Sequence, residues 1–142
     1  MKSTFILILF FLFISCSNNS INNPNCRFLL DLGINEVVNL NLPQFNQLQF
    51  AGNSVYIENV GNAGIIIAST GVDFFAWDAA DPNHAQSPCS VLVNSGLTAI
   101  CGCEDKNEYS LVTGQALGNG ALECTLRNYR VEKSGNTLLI TN

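Results

Sequence analysis

Asp81-Pro82-Asn83-His84, followed by Cys89, and then Cys101-Gly102-Cys103-Glu104 are the stretches whose reading decides the fold. Each places histidine or cysteine at close spacing on a short loop. Between them lie Val91-Leu92-Val93, a turn at Asn94-Ser95-Gly96, and Leu97-Thr98-Ala99-Ile100 running straight into Cys101. Short apolar runs broken by Gly and Asn have the length of strands, so both loops read as connections at one end of a β structure.

The same pattern continues outward. Upstream, Val37-Val38-Asn39-Leu40-Asn41-Leu42 alternates and stops at Pro43. Residues 44–50 read as a loop anchored by Phe45 and Leu48, and Ser54-Val55-Tyr56-Ile57 as a short strand. Ile65-Ile66-Ile67-Ala68 is a continuous β-branched run, which suits a strand buried on both faces. Thr70-Gly71 marks a hairpin, with 72–77 as the returning strand. Downstream, 109–112, 126–132 and 137–140 read as strands, the last two joined by a turn at Ser134-Gly135-Asn136. No stretch of helical length sustains a 3.6-residue period, so the class is all-β, a sandwich or small barrel.

The N-terminus is of a different kind. Lys2 precedes an unbroken apolar run over 5–14, too short to cross a bilayer as a helix and right for the core of a signal peptide. Phe13-Ile14-Ser15-Cys16 then resembles a bacterial lipobox. That resemblance implies a signal peptide over 1–15, lipidation (acylation by palmitate-type chains) at Cys16, and a partner in the lipid bilayer. Each buried methylene of such chains contributes about 0.8 kcal/mol. Residues 16–25, Ser- and Asn-rich with Pro24, read as a flexible tether. One domain then spans 26–142. The expected location is the cell envelope, membrane-anchored, with the leaflet open.

The 142-residue chain carries 6 Lys and Arg against 11 Asp and Glu. Its few basic residues are scattered singly, which speaks against nucleic acid as a partner. Phosphate-binding Gly loops, a Ser-His-Asp order and a His-Glu-x-x-His helix are all missing. Asp81 and Glu104 could face each other as an acid/base pair, but with no nucleophile the chain is not expected to be an enzyme. Glu104, Asp105 and Glu108 read as a solvated loop, Trp77 and Tyr109 as core residues, and His84 as a loop histidine bonded to backbone. Of the 6 cysteines, Cys16 goes to the lipid. Five remain in a compartment that favours disulfides, so at least one is unpaired within the chain.

Together, the Trp77-Asp78 hairpin end, the histidine loop, the Cys-x-Cys after an apolar strand, Tyr109, Thr113-Gly114 and the terminal Tyr129-x-Val131…Gly135-Asn136-Thr137-Leu138 hairpin resemble the Rieske [2Fe–2S] domain. The resemblance spans roughly 37–140 and is best over 74–117. It implies a β-sandwich of short antiparallel strands with two cluster-type loops. One iron would be held by two cysteines and the other by two histidines, and a disulfide would often staple the loops. Cys101 falls at a ligand cysteine, Cys103 at the stapling cysteine and Glu104 at a ligand histidine. On the first loop either Pro82 and His84 or Asp81 and Asn83 occupy the cysteine and histidine positions, and neither choice supplies the cysteine. Of the ligands only His84 and Cys101 remain, and carboxylates are hard substitutes for thiolate and imidazole. If any metal bound, these two would hold it.

The resemblance implies a Cys89–Cys103 staple, worth about 3 kcal/mol on the chain-entropy account. Cys26–Cys124 would pin the start of the domain to its end; Cys26–Cys101 is the rival pairing and Cys89–Cys101 a further alternative. The expected protein is a cell-envelope lipoprotein whose Rieske-like domain has lost its cluster and holds no cofactor. Its role would be structural or binding, toward a protein or ligand the sequence does not name. The alternative is an electron carrier with an atypical [2Fe–2S] cluster.

Overall fold

The computed structural model describes residues 26–118 and 120–142. The expected signal peptide, Cys16 and the whole tether lie outside the described residues. Among the described residues ten strands follow one another: β1 Asn35–Asn39, β2 Asn53–Ile57, β3 Ile65–Ser69, β4 Phe74–Asp78, β5 Leu92–Ser95, β6 Thr98–Cys101, β7 Glu108–Ser110, β8 Ala116–Leu117, β9 Asn128–Ser134 and β10 Thr137–Thr141. They form two antiparallel sheets. The large one has the order β1-β10-β9-β4-β3-β2 and the small one β5-β6-β7-β8. This is the all-β, Rieske-like sandwich that the sequence implies. Among the described residues no helix is long and apolar enough to cross a membrane.

The small sheet is an insertion into the large one. The chain leaves the large sheet after Asp78 and returns at Asn128, and β4 and β9 pair through Ala76 with Tyr129 and Trp77 with Asn128. The Asp78 amide donates to the Arg127 carbonyl at 2.9 Å, so entry and exit lie side by side. Everything between them folds outward as one unit, and the two loops singled out from the sequence lie within it.

β3 explains why the two sheets hold together. All five of its residues are buried. Ile65 and Ile67 face a core with Val38, Leu48, Val55, Tyr129, Leu138 and Ile140. Ile66 and Ala68 face the opposite core, with Trp77, Leu92, Tyr109, Leu111 and Leu126. The period-2 alternation of a strand sends successive side chains to opposite faces, so the apolar run over 65–68 serves two cores at once. Removing one such isoleucine side chain would cost about 2–5 kcal/mol.

Element ends differ from the sequence reading for local reasons. β1 stops at Asn39, not Leu42, because the Asn39 side chain accepts from the Asn41 amide at 2.9 Å and turns the chain. Residues 46–49 form a short 3-10 helix in place of an irregular loop, and it seats Leu48 in the core. β7 ends at Ser110, not 112, because the Ser110 hydroxyl accepts from the amides of Val112 and Thr113 at 3.2 and 3.3 Å. The two-residue β8 and the later start of β9 were not signalled by any pattern, since both are set by pairing with distant strands.

Candidate functional site

The loops after β4 and after β6 meet at the outer end of the insertion. Cys89 and Cys103 are joined by a disulfide. A second disulfide joins Cys26 to Cys124, and Cys101 is the free cysteine among the described residues. The loops approach so closely that a Cβ on Gly102 would lie 2.7 Å from the Cys89 carbonyl oxygen. Only glycine fits there without moving backbone.

Beneath this staple sits Asp81, with no exposed surface. Its Oδ1 accepts from the Tyr109 hydroxyl at 2.5 Å and from the Asn83 amide at 2.9 Å. Its Oδ2 accepts from Asn107 Nδ2 at 2.9 Å. Asn83 extends the network, donating to Tyr109 Oη at 2.8 Å and to the Cys124 carbonyl at 2.7 Å, while its Oδ1 accepts from the Cys124 amide at 3.0 Å. A buried carboxyl group is tolerated only when its oxygens are paired, and here both are paired by neutral donors. Among the described residues the ion pairs are Arg127–Asp31 and Arg130–Glu132, and neither involves Asp81.

Cys101 lies against this cage. Burial pushes its thiol up to about 12, and its hydrogen bond with Asp81 and the charge there push the same way. Its sulfur points to the Cys89 carbonyl at 3.8 Å. Burial also raises the Tyr109 hydroxyl far above its ordinary range, helped by the bond to Asp81. Both groups therefore stay protonated as donors across ordinary pH.

The other named positions are now placed. Pro82 is buried and Glu104 is exposed. His84 Nδ1 lies 2.7 Å from the Ala85 carbonyl, which requires it to donate there, and 3.9 Å from Cys103 Sγ. His84 falls in a donor group with Cys89 and Cys103, whereas Cys101 falls in another with Cys103 and Asp105. Cys103 belongs to both groups, and the two residues that the sequence suggested as a joint metal pair share neither. On the first loop Asp81 and Asn83 enter the cage, Asp81 being the residue beside Cys101.

An intact [2Fe–2S] ligand set does not exist among these residues. The first loop carries no free cysteine, and its Asp81 carboxyl is already occupied by three protein donors. Cys101 is the one free thiol among the described residues, Glu104 carries a carboxylate, and the sulfurs of Cys89 and Cys103 are bonded to each other. Such clusters favour thiolates, and the single free cysteine among the described residues falls short of the two that one iron takes. That argues against redox catalysis by this chain. Asp81 and Glu104 do not form an acid/base pair either, since one is buried and saturated and the other lies in solvent.

Beside the tip, a groove of about 520 Å³ lies between the 58–64 loop and the first tip loop, lined among others by Tyr56, Glu58, Asn62, Gln86 and Ser87. Its lining residue Asn62 is held from behind by a second buried carboxyl, Asp78. This residue accepts from Tyr129 Oη at 2.7 Å, from the Asn62 amide at 2.8 Å and Nδ2 at 2.9 Å, and from the Ala80 amide at 2.9 Å. The sequence reading missed Asn107, Tyr109, Asn62 and Tyr129 as cage partners. No spacing could signal them, because each is brought to its aspartate by strand pairing.

No protein-family model and no curated protein matches the chain. Among solved structures it is similar to the ferredoxin of carbazole 1,9a-dioxygenase from Nocardioides aromaticivorans, at 18% identity and a TM-score of 0.49, covering 76% of this chain and 95% of that one. The complex of reduced oxygenase and oxidised ferredoxin in carbazole 1,9a-dioxygenase is similar at 18% identity and a TM-score of 0.47, over 64% of this chain and 82% of that one. At such values the likenesses say nothing about a cofactor or partner of this chain, and its fold rests on its own strand order.

Proposed function

We propose that this is a lipid-anchored lipoprotein of the cell envelope whose Rieske-like domain works without a cluster, as a binding module presenting its stapled two-loop tip. The observation that carries the reading is the Asp81 cage. A ligand position filled by a carboxyl group, with a tyrosine and two asparagines built around it, is a finished polar core and not a vacant site. The disulfide between Cys89 and Cys103 holds the two loops in one geometry, and a rigid surface loses little entropy on binding. The polar groove beside it gives hydrogen-bonding groups to a partner. The lipobox resemblance at Phe13-Ile14-Ser15-Cys16 supports the anchor.

Anaerobic purification followed by visible spectroscopy and iron and sulfide assay tests the cluster-free reading; stoichiometric iron and sulfide would overturn it. Fractionation of cells carrying the wild type and Cys16→Ser tests the anchor, which requires the wild type alone in the membrane fraction. A photo-crosslinker placed at Pro88 or Glu104 should trap a partner in intact envelopes, and one at Lys133 on β9 should not. Equal trapping from all three positions would remove the tip from its proposed role.

A further inference from the structure

The staple has a second chemical state. His84, Cys89 and Cys103 each offer one donor atom, and these atoms all lie within 4.8 Å of one another. On the far side of Cys103, Cys101 and Asp105 supply further donors within the same distance of it. In the disulfide form the two sulfurs are spent on each other. We propose that two-electron reduction of Cys89–Cys103 converts the tip into a binding site for a divalent transition ion of the zinc type, held by His84, Cys89 and Cys103.

The chemistry balances with a dithiol as reductant. The S–S bond breaks, each sulfur takes up one electron and one proton, and the dithiol is oxidised to a disulfide. A divalent ion then displaces the two thiol protons and binds two thiolates, and the neutral imidazole contributes a lone pair. Two thiolates and one imidazole are a donor set that zinc accepts, with a fourth position left to solvent. Access is provided for. Cys89 is exposed and His84 half-buried, so both reductant and ion reach the site from outside. The loops need not be remade on reduction, because other bonds already hold them. The Asp81 amide donates to the Ser90 carbonyl at 2.9 Å, and the Lys106 amide donates to the Cys103 carbonyl at 3.2 Å. Ser87 Oγ lies 3.2 Å from Cys89 Sγ, where it can support a thiolate in place of the broken bond.

The inference rests on a tip free of iron and sulfide, and the two readings fail separately. An iron–sulfur chromophore in the purified protein ends the first, and the following titration ends the second. The full chain in detergent is titrated with Co2+ before and after reduction by a phosphine, which takes its oxygen from water as it becomes the phosphine oxide. The reduced protein should bind one equivalent with a thiolate-to-cobalt charge-transfer band, displaced by Zn2+, and the oxidised protein none. Cys103→Ser should abolish the band, and His84→Ala should weaken binding by about ten- to a hundredfold. A Cys26→Ser/Cys124→Ser chain should keep the band, which assigns it to the tip. A band of equal strength in the oxidised protein, or none in the reduced one, or one unchanged in Cys103→Ser, would overturn the proposal. A second readout in the wild type avoids any folding defect. Zn2+ should slow alkylation of Cys89 and Cys103 in the reduced protein, mapped by mass, and alkylation unaffected by Zn2+ would also overturn it.

Discussion

Asp78 and Asp81 stand three positions apart, are both without exposed surface, and each accept a hydrogen bond from a buried tyrosine, yet they do different work. Asp78 sits at the seam where the insertion leaves the large sheet. It ties β4 to β9 through Tyr129 and to the 58–64 loop through Asn62. Asp81 sits inside the insertion and ties one tip loop to the other. One donor to the first is shared, since Asn62 Nδ2 also bonds the Leu30 carbonyl at 3.1 Å, but no disulfide backs that carboxyl. The second is backed by the disulfide and by donors that have other acceptors, since Asn107 also bonds Asp105 at 3.0 Å. One carboxyl holds the fold, and the other fills a site.

That contrast can be broken by substitution, and the largest effect belongs to the seam. Asp78→Ala strands the donors of Tyr129, Asn62 and Ala80, and should cost about 4 kcal/mol in urea unfolding monitored by tryptophan fluorescence. Gly61→Ala should come next, at about 3 kcal/mol by the same measurement. Gly61 has φ +68°, and a Cβ there would lie 2.7 Å from both Asp78 Oδ2 and Tyr129 Oη. Asp81→Ala should cost about 2 kcal/mol, because the staple keeps the tip closed. If it proves more damaging than Asp78→Ala, the ranking of the two sites is reversed. Gly102→Ala, at the tip's own close approach, should likewise cost about 2 kcal/mol, because the atom a Cβ meets is backbone of the stapled Cys89 loop.

The smallest effect is nil at neutral pH and appears only in alkali. Burial first, and then the bond to an aspartate, raises the hydroxyls of Tyr109 and Tyr129 above their ordinary range. A group whose folded value lies above its unfolded one contributes stability that is full below the unfolded value. That contribution is lost as pH climbs toward the folded value. By the same rule the buried Cys101 thiol starts the decline above about pH 9, the ordinary thiol value, and the tyrosines steepen it above about pH 10. Absorbance at the phenolate band should show both tyrosines ionising together with unfolding. Independent titration of either in the folded protein would mean that its aspartate bond is weaker than the geometry says.

The sequence showed some of this and hid the rest, for a physical reason. Ile65-Ile66-Ile67 announces a strand buried on both sides because every position is apolar. The terminal hairpin announces itself by Ser134-Gly135-Asn136. The tip loops were legible as loops, and so was the loss of their ligands, because cysteine and histidine are rare and positional. The cages were not. Asp81 bonds residues 26 and 28 positions away, and Asp78 bonds residues 16 and 51 positions away. Side chains brought together across that much chain leave no local pattern, and aspartate before proline or alanine reads as a turn.

The bond between the Asp78 amide and the Arg127 carbonyl has one more consequence, for anyone who would re-engineer the molecule. Because the insertion starts and ends at neighbouring points of backbone, it can in principle be cut out and another loop grafted between β4 and β9 without reordering a strand. The obstacle is not the joint but the wall behind it. Ile66, Ala68 and Trp77 belong to the large sheet and face the insertion's core. A graft must arrive with apolar side chains that fit those three, or it leaves a patch on which two copies of the shortened chain would stick together.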